Sequence, residues 1–513
     1  MKLSRSVFVV AGAVVLLHLV TNTQYGFHRD ELATVDDARH LAWGFVAYPP
    51  LTPFVGRVAL LLFGRSLVGL RLFSSLAIAA ATVLAGMIAR ELGGRRGAQF
   101  LAAAAVAIAP VALGSGSLFQ YVSFDYLWWV VIAYSVVRLL NTGDARWWLA
   151  IGAATGLGVL TKYTIAFFTA GFALALLFTP GRRYLASRWL WIGAALSVAI
   201  AAPNLIWQAQ HGFVSLDFLR SIHARDVRIG RADHFLPEQL FVPANVFTIP
   251  LWVAGLIGLL VSQGMRRYRV LAWTFLITVA IFLLAKGRSY YTAPAYPMLL
   301  AAGAVRFEAR AAAWKTPARR LAWTGAACLL ALGAALAAYL VVPIAPPGSG
   351  WFLAAARINT DYNEEIGWPN LVASVAYVYN SLPPAERAHA AILAANYGEA
   401  GALDLYGPDY GLPPAISGIN SYWARGYGNP PPQTLVVLGF QPAFINQTFV
   451  SCSAAARITN PWGIHNEEAS RPTIFLCRGL REPWPDFWKR FRYFGRLREP
   501  ARMKVIHSLG GTA

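Results

Sequence analysis

Charge is scarce in this chain: Asp, Glu, Lys and Arg make up 13% of its 513 residues, about half the share of a soluble globular domain. With 57% apolar residues and 18 Trp, that scarcity excludes an ordinary soluble protein. Acidic residues are the scarcer sign, 24 against 44 Lys and Arg, for a net charge of +20. Cysteine is rarer still at three residues, too few for a disulfide-stapled scaffold. No phosphate loop or dinucleotide fingerprint occurs at a strand-to-helix turn, which argues against a nucleotide-fuelled pump. No duplicated half is evident, which counts against repeat-built transporters.

Long apolar runs are what the chain has instead. A hydrocarbon core about 30 Å thick needs roughly 20 apolar residues per helix, and shorter runs suffice inside a bundle. About eleven such stretches occur, near residues 6–23, 67–89, 97–113, 119–140, 147–161, 163–179, 189–206, 244–263, 270–286, 290–305 and 321–342. Lys2 and Arg5 precede the first, but no small-residue cleavage site follows it, so it is expected to be a retained helix rather than a signal peptide. Basic residues collect in alternate loops, such as Arg90, Arg95 and Arg96, or Arg266, Arg267 and Arg269, which assigns those loops and the N-terminus to the cytoplasm. Intervening loops are charge-balanced, as in 206–243, where Arg220, Arg225, Arg228 and Arg231 meet Asp217, Asp226, Asp233 and Glu238. The net positive charge thus has a membrane explanation, basic loops against an anionic leaflet, and is not read as nucleic-acid binding.

An odd number of spans puts the remainder of the chain on the extracytoplasmic side. The string PIAPPGSG (343–350) reads as a linker after a membrane domain of residues 1–342, and residues 351–513 as a soluble domain of ordinary size. Leu371, Val375, Val378 and Leu382 recur at helical spacing, and the runs AAILAANYG (390–398), TLVVLGF (434–440) and TIFLC (473–477) alternate with helical segments, which predicts a small α/β domain. Cys452 and Cys477 both fall in this domain, while Cys328 sits alone in an apolar helix. A Cys452–Cys477 disulfide would contribute roughly 3 kcal/mol in the chain-entropy model; two unpaired buried thiols are the alternative.

Charged groups at the membrane edge tend to mark function. Asp30 and Glu31 follow the first apolar stretch, in a first external loop of about residues 24–66, and Arg71, Asp125, Lys162, Lys286 and Arg288 all map to the same outer side. A carboxylate facing fixed cations suits transfer of a group from a lipid phosphate to a hydroxyl. Asp30 would accept the hydroxyl proton, Glu31 would orient it, and the cations would meet the charge on the departing phosphate.

These residues lie in strings that resemble a known family: Asp30-Glu31 in the first external loop, the GF-x-x-YPPL string at 44–51, GLRLFSSL around Arg71, SFDYLWW around Asp125, GLGVLTKYT around Lys162 and KGRSYYTAPAYPMLLAAGA from Lys286. The set is similar to the bacterial membrane glycosyltransferases related to protein O-mannosyltransferases and the lipid A aminoarabinose transferase, over most of residues 1–310. The resemblance implies an α-helical polytopic GT-C fold, a polyprenyl-phosphate sugar donor used at the outer face of the cytoplasmic membrane, and inversion at the sugar carbon. It implies Asp30 as the first-loop catalytic carboxylate and Lys162, Lys286 and Arg288 as donor-phosphate ligands with Arg71 in support; the candidate site counts Glu31 with Asp30 as catalytic and Arg71 with the phosphate ligands. Asp125, Tyr163, Tyr290 and Tyr291 would support them. Relatives often carry an Asp-His pair before the Pro-Pro of the first loop, where this chain has Ala47 and Tyr48. His28, Asp36 and Asp37 could compensate, but read more simply as surface residues. A divalent metal stays open, because an acidic pair alone supplies too few oxygen ligands. The sugar and the acceptor, whether protein, lipid A or glycan, are not readable. The rival reading is a transporter or flippase of a lipid-linked precursor, with the outer charges lining its path.

Overall fold

The structure is a computed structural model and describes residues 2–495; residues 496–513 of the expected C-terminal domain lie outside the described residues. Each of the eleven apolar stretches carries a helix. In chain order, α1 (Arg5–Thr21) leads to a first inter-helix loop holding α2 (Arg29–Arg39) and α3 (Leu51–Phe63). There follow α4 (Leu67–Glu91), α5 (Arg96–Ala107), α6 (Pro110–Gly116), α7 (Tyr121–Thr142), α8 (Trp147–Val159), α9 (Ile165–Leu177) and α10 (Arg188–Gln210). A second long loop holds α11 (Val214–Arg228) and the single turn α12 (Phe235–Glu238). Then come α13 (Ile249–Val261), α14 (Arg269–Leu284), α15 (Tyr296–Ala312), α16 (Thr316–Val341) and the short α17 (Gly350–Ala356).

Among the described residues, 5 helices are long and apolar enough to cross a membrane, or up to 7 if each of two bent pairs is one span. That is fewer than the eleven expected from hydropathy. The bends, 65° between α5 and α6 and 104° after α9, have a local cause. Pro110 and Pro180 push the preceding Ala109 (φ −67°, ψ 128°) and Thr179 (φ −127°, ψ 167°) out of the helical region. Helices α1 and α8 are apolar but shorter.

Helices α4 and α7 are central: the alanine-rich face of α4, with Ala81 and Ala85, and Trp129, Ile132 and Ala133 of α7 belong to one large buried cluster. Small residues suit this, because lipid tails are as apolar as leucine and helices associate through close packing. The contact of α8 with α10 shows it: a Cβ on Gly152 or Gly193 would collide with the opposing backbone. Helix α16, with 11% of its apolar window buried, has an outward flank suited to lipid.

The chain divides into two compact units between Ile366 and Gly367, with Trp462–Ile464 returning to the first. Residues 351–366, assigned by composition to the second domain, therefore pack with the first. Phe352, Ala355, Tyr362 and Ile366 bury against Tyr25 and Ala345, and the Tyr25 hydroxyl donates to the Ala345 carbonyl at 2.7 Å. The segment looks polar in sequence because Asp361, Glu364 and Glu365 interrupt it, yet these carboxylates face the first unit's own polar groups.

The second unit contains α18 (Trp368–Asn380), α19 (Pro384–Arg387), α20 (Tyr397–Tyr406), α21 (Pro442–Thr448) and α22 (Trp484–Arg490). Its five-stranded sheet has the order β2-β1-β3-β5-β4, from β1 (Ala390–Ala394), β2 (Ala415–Ile416), β3 (Thr434–Leu438), β4 (Phe449–Arg457) and β5 (Thr473–Leu480). Strand β1 runs parallel to both neighbours, and β5 antiparallel to both of its own. Cys452 and Cys477 sit directly opposite across β4 and β5 and are joined.

Candidate functional site

Two neighbouring carboxylates at the start of α2 meet different surroundings, because successive helical residues point about 100° apart. His28 caps the helix: its Nδ1 accepts from the Asp30 N–H at 3.2 Å, and the Glu31 carboxylate accepts from the His28 N–H at 2.8 Å, closing a capping box. Glu31 thereby turns inward and is fully buried. It accepts from Arg71 Nε at 2.8 Å, Arg71 Nη2 at 2.7 Å and the Phe119 N–H at 2.7 Å.

Arg71, on α4, is equally buried, and donates further to the carbonyls of Asn22 and Gly26 at 2.9 and 3.0 Å and to Glu365 Oε2 at 3.0 Å. A guanidinium held by two carboxylates and two carbonyls braces the loop. This corrects the expectation that Arg71 is a donor-phosphate ligand: the side chain is fully buried, and Nε, Nη1 and Nη2 each already donate to a protein oxygen.

Asp30, by contrast, keeps its side chain 41% exposed. It accepts from Gln120 Nε2 at 3.0 Å and has Arg29 Nε at 3.8 Å. Gln120 is the N-cap of α7, and the next residue, Tyr121, places its ring 3.8 Å from Lys162 Nζ. Tyr291 and Tyr290 face the same ammonium at 4.0 and 5.6 Å, so Lys162 sits among three aromatic faces that hold a cation by their quadrupoles. Tyr121 is also within electrostatic reach of both Asp30 and Arg288. One dipeptide, Gln120–Tyr121, thus joins the carboxylate loop to the cations.

Arg288 is aimed by Asp226 of α11, whose Oδ2 accepts from Arg288 Nε at 2.7 Å. Arg225 donates to the other oxygen at 3.0 Å and Arg231 lies 3.7 Å from it. Burial pushes the Asp226 carboxyl up, but Arg288 and Arg225 outweigh it and hold it below the ordinary carboxylate value. Asp125 accepts from Trp129 Nε1 at 3.1 Å and from the Thr164 hydroxyl at 3.3 Å, within electrostatic reach of Lys162. Tyr163 turns the other way, donating to Asn204 Oδ1 at 2.9 Å and accepting from Gln208 at 3.2 Å on α10. Lys286 also stands apart from the tyrosines. It is exposed at a left-handed backbone position, φ 48°, and makes no ion pair among the described residues.

His28, Asp36 and Asp37, read from sequence as surface residues, are all buried. His28 serves as the cap, and Asp37 accepts from the Tyr48 hydroxyl at 2.8 Å. Burial, then Asp37, raise the Tyr48 hydroxyl well above its ordinary value and keep it a donor. Tyr48 is thus a partner of Asp37 within the same loop. No group of three or more His, Cys, Asp or Glu able to hold a metal ion occurs among the described residues.

Sequence reading missed Gln120, Tyr121, Asp226 and Glu365 as site residues. Gln120 and Tyr121 carry no charge, Asp226 reads as one member of a balanced loop, and Glu365 reads as part of another domain.

Residues 47–207 match the family model described as dolichyl-phosphate-mannose-protein mannosyltransferase. The chain is 28% identical over 286 residues, 51% of its own length, to the lipid A galacturonosyltransferase RgtD of Rhizobium johnstonii, covering 58% of that protein. It is 30% identical over 292 residues, 53% of its length, to the undecaprenyl phosphate-alpha-4-amino-4-deoxy-L-arabinose arabinosyl transferase 1 of Pseudomonas fluorescens, covering 51% of it. The chain therefore spans about half the length of the curated relatives it matches. ArnT from Cupriavidus metallidurans, solved bound to undecaprenyl phosphate, shares the fold with a TM-score of 0.57 at 15% identity, over 91% of this chain and 97% of that one.

Proposed function

We propose that this chain is an inverting glycosyltransferase of the GT-C superfamily, a reading supported by the family match over residues 47–207 and by the two curated relatives. It moves a sugar from a polyprenyl-phosphate donor to an acceptor hydroxyl at the outer face of the cytoplasmic membrane. Asp30 takes the acceptor proton as the hydroxyl oxygen attacks the anomeric carbon from the face opposite the phosphate. The bond to the phosphate oxygen breaks, and a single in-line displacement inverts the centre. Lys162 and Arg288 meet the charge left on the lipid phosphate, with the exposed Lys286 as a further cation. The N-terminus is cytoplasmic and the α/β unit extracytoplasmic in this reading. The name of one curated relative, the lipid A galacturonosyltransferase, favours a lipid A-type acceptor.

The observation that carries this reading is the Gln120–Tyr121 link, which ties a half-exposed carboxylate to a cation held on tyrosine faces. A base and an anion-stabilising group tied to one short segment are what a displacement at a sugar phosphate requires. The test is sugar transfer from a labelled polyprenyl-phosphate donor pool in membranes holding wild-type protein or Asp30→Asn at matched expression. Protein-dependent transfer that collapses in the variant is expected. Equal transfer in both removes Asp30 from catalysis, and transfer in neither across several donors overturns the reading.

A further inference from the structure

Glu365 lies 294 residues from Arg71 in sequence, yet its carboxylate completes the buried cluster beneath the Asp30 loop. It is 3% exposed. Its side chain accepts from Arg71 Nη2 at 3.0 Å, and its backbone carbonyl accepts from the Gly26 N–H at 3.1 Å. A Cβ on Gly26 would lie 2.7 Å from that carbonyl oxygen, so only glycine admits the segment this close. Arg71 returns to the Gly26 carbonyl at 3.0 Å and grips Glu31 with two donors. Glu31 is the neighbour of Asp30 in the same first turn. Glu365 is thus fastened to the Gly26 N–H and to the guanidinium that holds both Glu31 and the Gly26 carbonyl.

We propose that Glu365 is a positioning residue for the transfer reaction, holding the loop that presents Asp30 in place through Arg71 and Glu31. Its catalytic consequence rests on the glycosyltransferase reading; the brace itself does not. Arg71 from α4, Glu31 from α2, His28 at its cap, and Tyr25 and Tyr362 from the flanking segments all face the carboxyl. Two carboxylates share one guanidinium, and the second is costly to ionise out of water. Burial, against the pull of Arg71, pushes Glu365 from 4.5 up to about 7. An opened loop releases the proton at lower pH than the closed one, so the closed state weakens as pH rises from the ordinary carboxylate value to about 7.

Hydrogen exchange on the full chain in detergent micelles, with no sugar donor, tests the brace between pH 4.5 and 8. Amide protection over residues 24–32, corrected for intrinsic exchange, is expected to fall several-fold through that range in the wild type. It should stay flat in Glu365→Gln and follow the wild type in Glu364→Gln. Unchanged wild-type protection overturns the proposal whether or not the variant folds, and so does a Glu365→Gln profile that tracks the wild type. In the transfer assay, Glu365→Ala should lower kcat by on the order of 10- to 100-fold, as expected for a displaced reacting group, with donor KM little changed. A loosened loop with unchanged kcat overturns the positioning role. Absence of transfer in the wild type overturns the glycosyltransferase reading and leaves the exchange result standing.

Discussion

The helices α2 and α20 begin with the same local device and put it to different use. Each has a side-chain cap and a glutamate at the third helical position reaching back to the cap's N–H: His28 with Glu31, and Asn396 with Glu399. Both glutamates are buried to within 1% exposure. Glu31 then meets the Arg71 guanidinium, whereas among the described residues Glu399 accepts from the backbone N–H groups of Ala395 and Asn396, at 2.9 and 3.1 Å. The residue before the glutamate is Asp30 in one helix and Gly398 in the other. A capping box fixes where a carboxylate points, and what stands at that place decides whether it also braces distant segments or only starts its own helix.

The largest effect expected from this contrast is at the second helical position of α2. Asp30→Asn should lower transfer by about 10²- to 10⁴-fold, the range for a lost general base, and leave the thermal midpoint unchanged because the side chain is half exposed. Next is Arg71→Ala, which leaves Glu31 and Glu365 buried without their cation and should cost about 3–5 kcal/mol, read as a loss of folded protein in thermal unfolding of the detergent-solubilised chain. Alanine at the half-buried Arg471 near Glu399 should be far milder; an equal loss would break the contrast.

A smaller effect is a pH dependence of the second unit. Burial raises the Glu399 carboxyl from 4.5 to about 7, so its folded state holds a proton that the unfolded chain has released. Stability of the α/β unit should therefore fall as pH rises through that window, and Glu399→Gln should abolish the slope, as read by exchange of the β1 and β3 amides. The smallest change expected is from Asn396→Ala, which removes a side-chain cap and should cost about 1 kcal/mol, measurable in the same exchange experiment.

Much of this architecture is legible in sequence because it is periodic and local. Apolar runs mark the helices of the first unit, the runs at 390–398, 434–440 and 473–477 hold strands β1, β3 and β5, and Asn396 with Glu399 carries a readable capping signature. The bends after Ile108 and Phe178 follow from proline chemistry that hydropathy does not register. His28 is not a usual cap, so the box that turns Glu31 inward has no sequence signal. Arg71, read as a cation facing outward, is buried because its partners Asn22, Gly26, Glu31 and Glu365 come from segments scattered along the chain. Tyr163, adjacent to Lys162, looks like a companion and is held by α10 instead.

By itself the sequence determined that this is a helical membrane protein with an α/β appendage, and that its few acidic residues near the membrane include Asp30, because burial in lipid constrains composition along the chain wherever a span occurs. Only the tertiary structure decided which charges are occupied and which face outward. Arg71 and Glu31 are locked together, Lys162 is held by tyrosines, Arg288 is aimed by Asp226, and Asp30 remains half exposed. That choice depends on which distant groups meet in three dimensions, and desolvation makes each such pairing all or none.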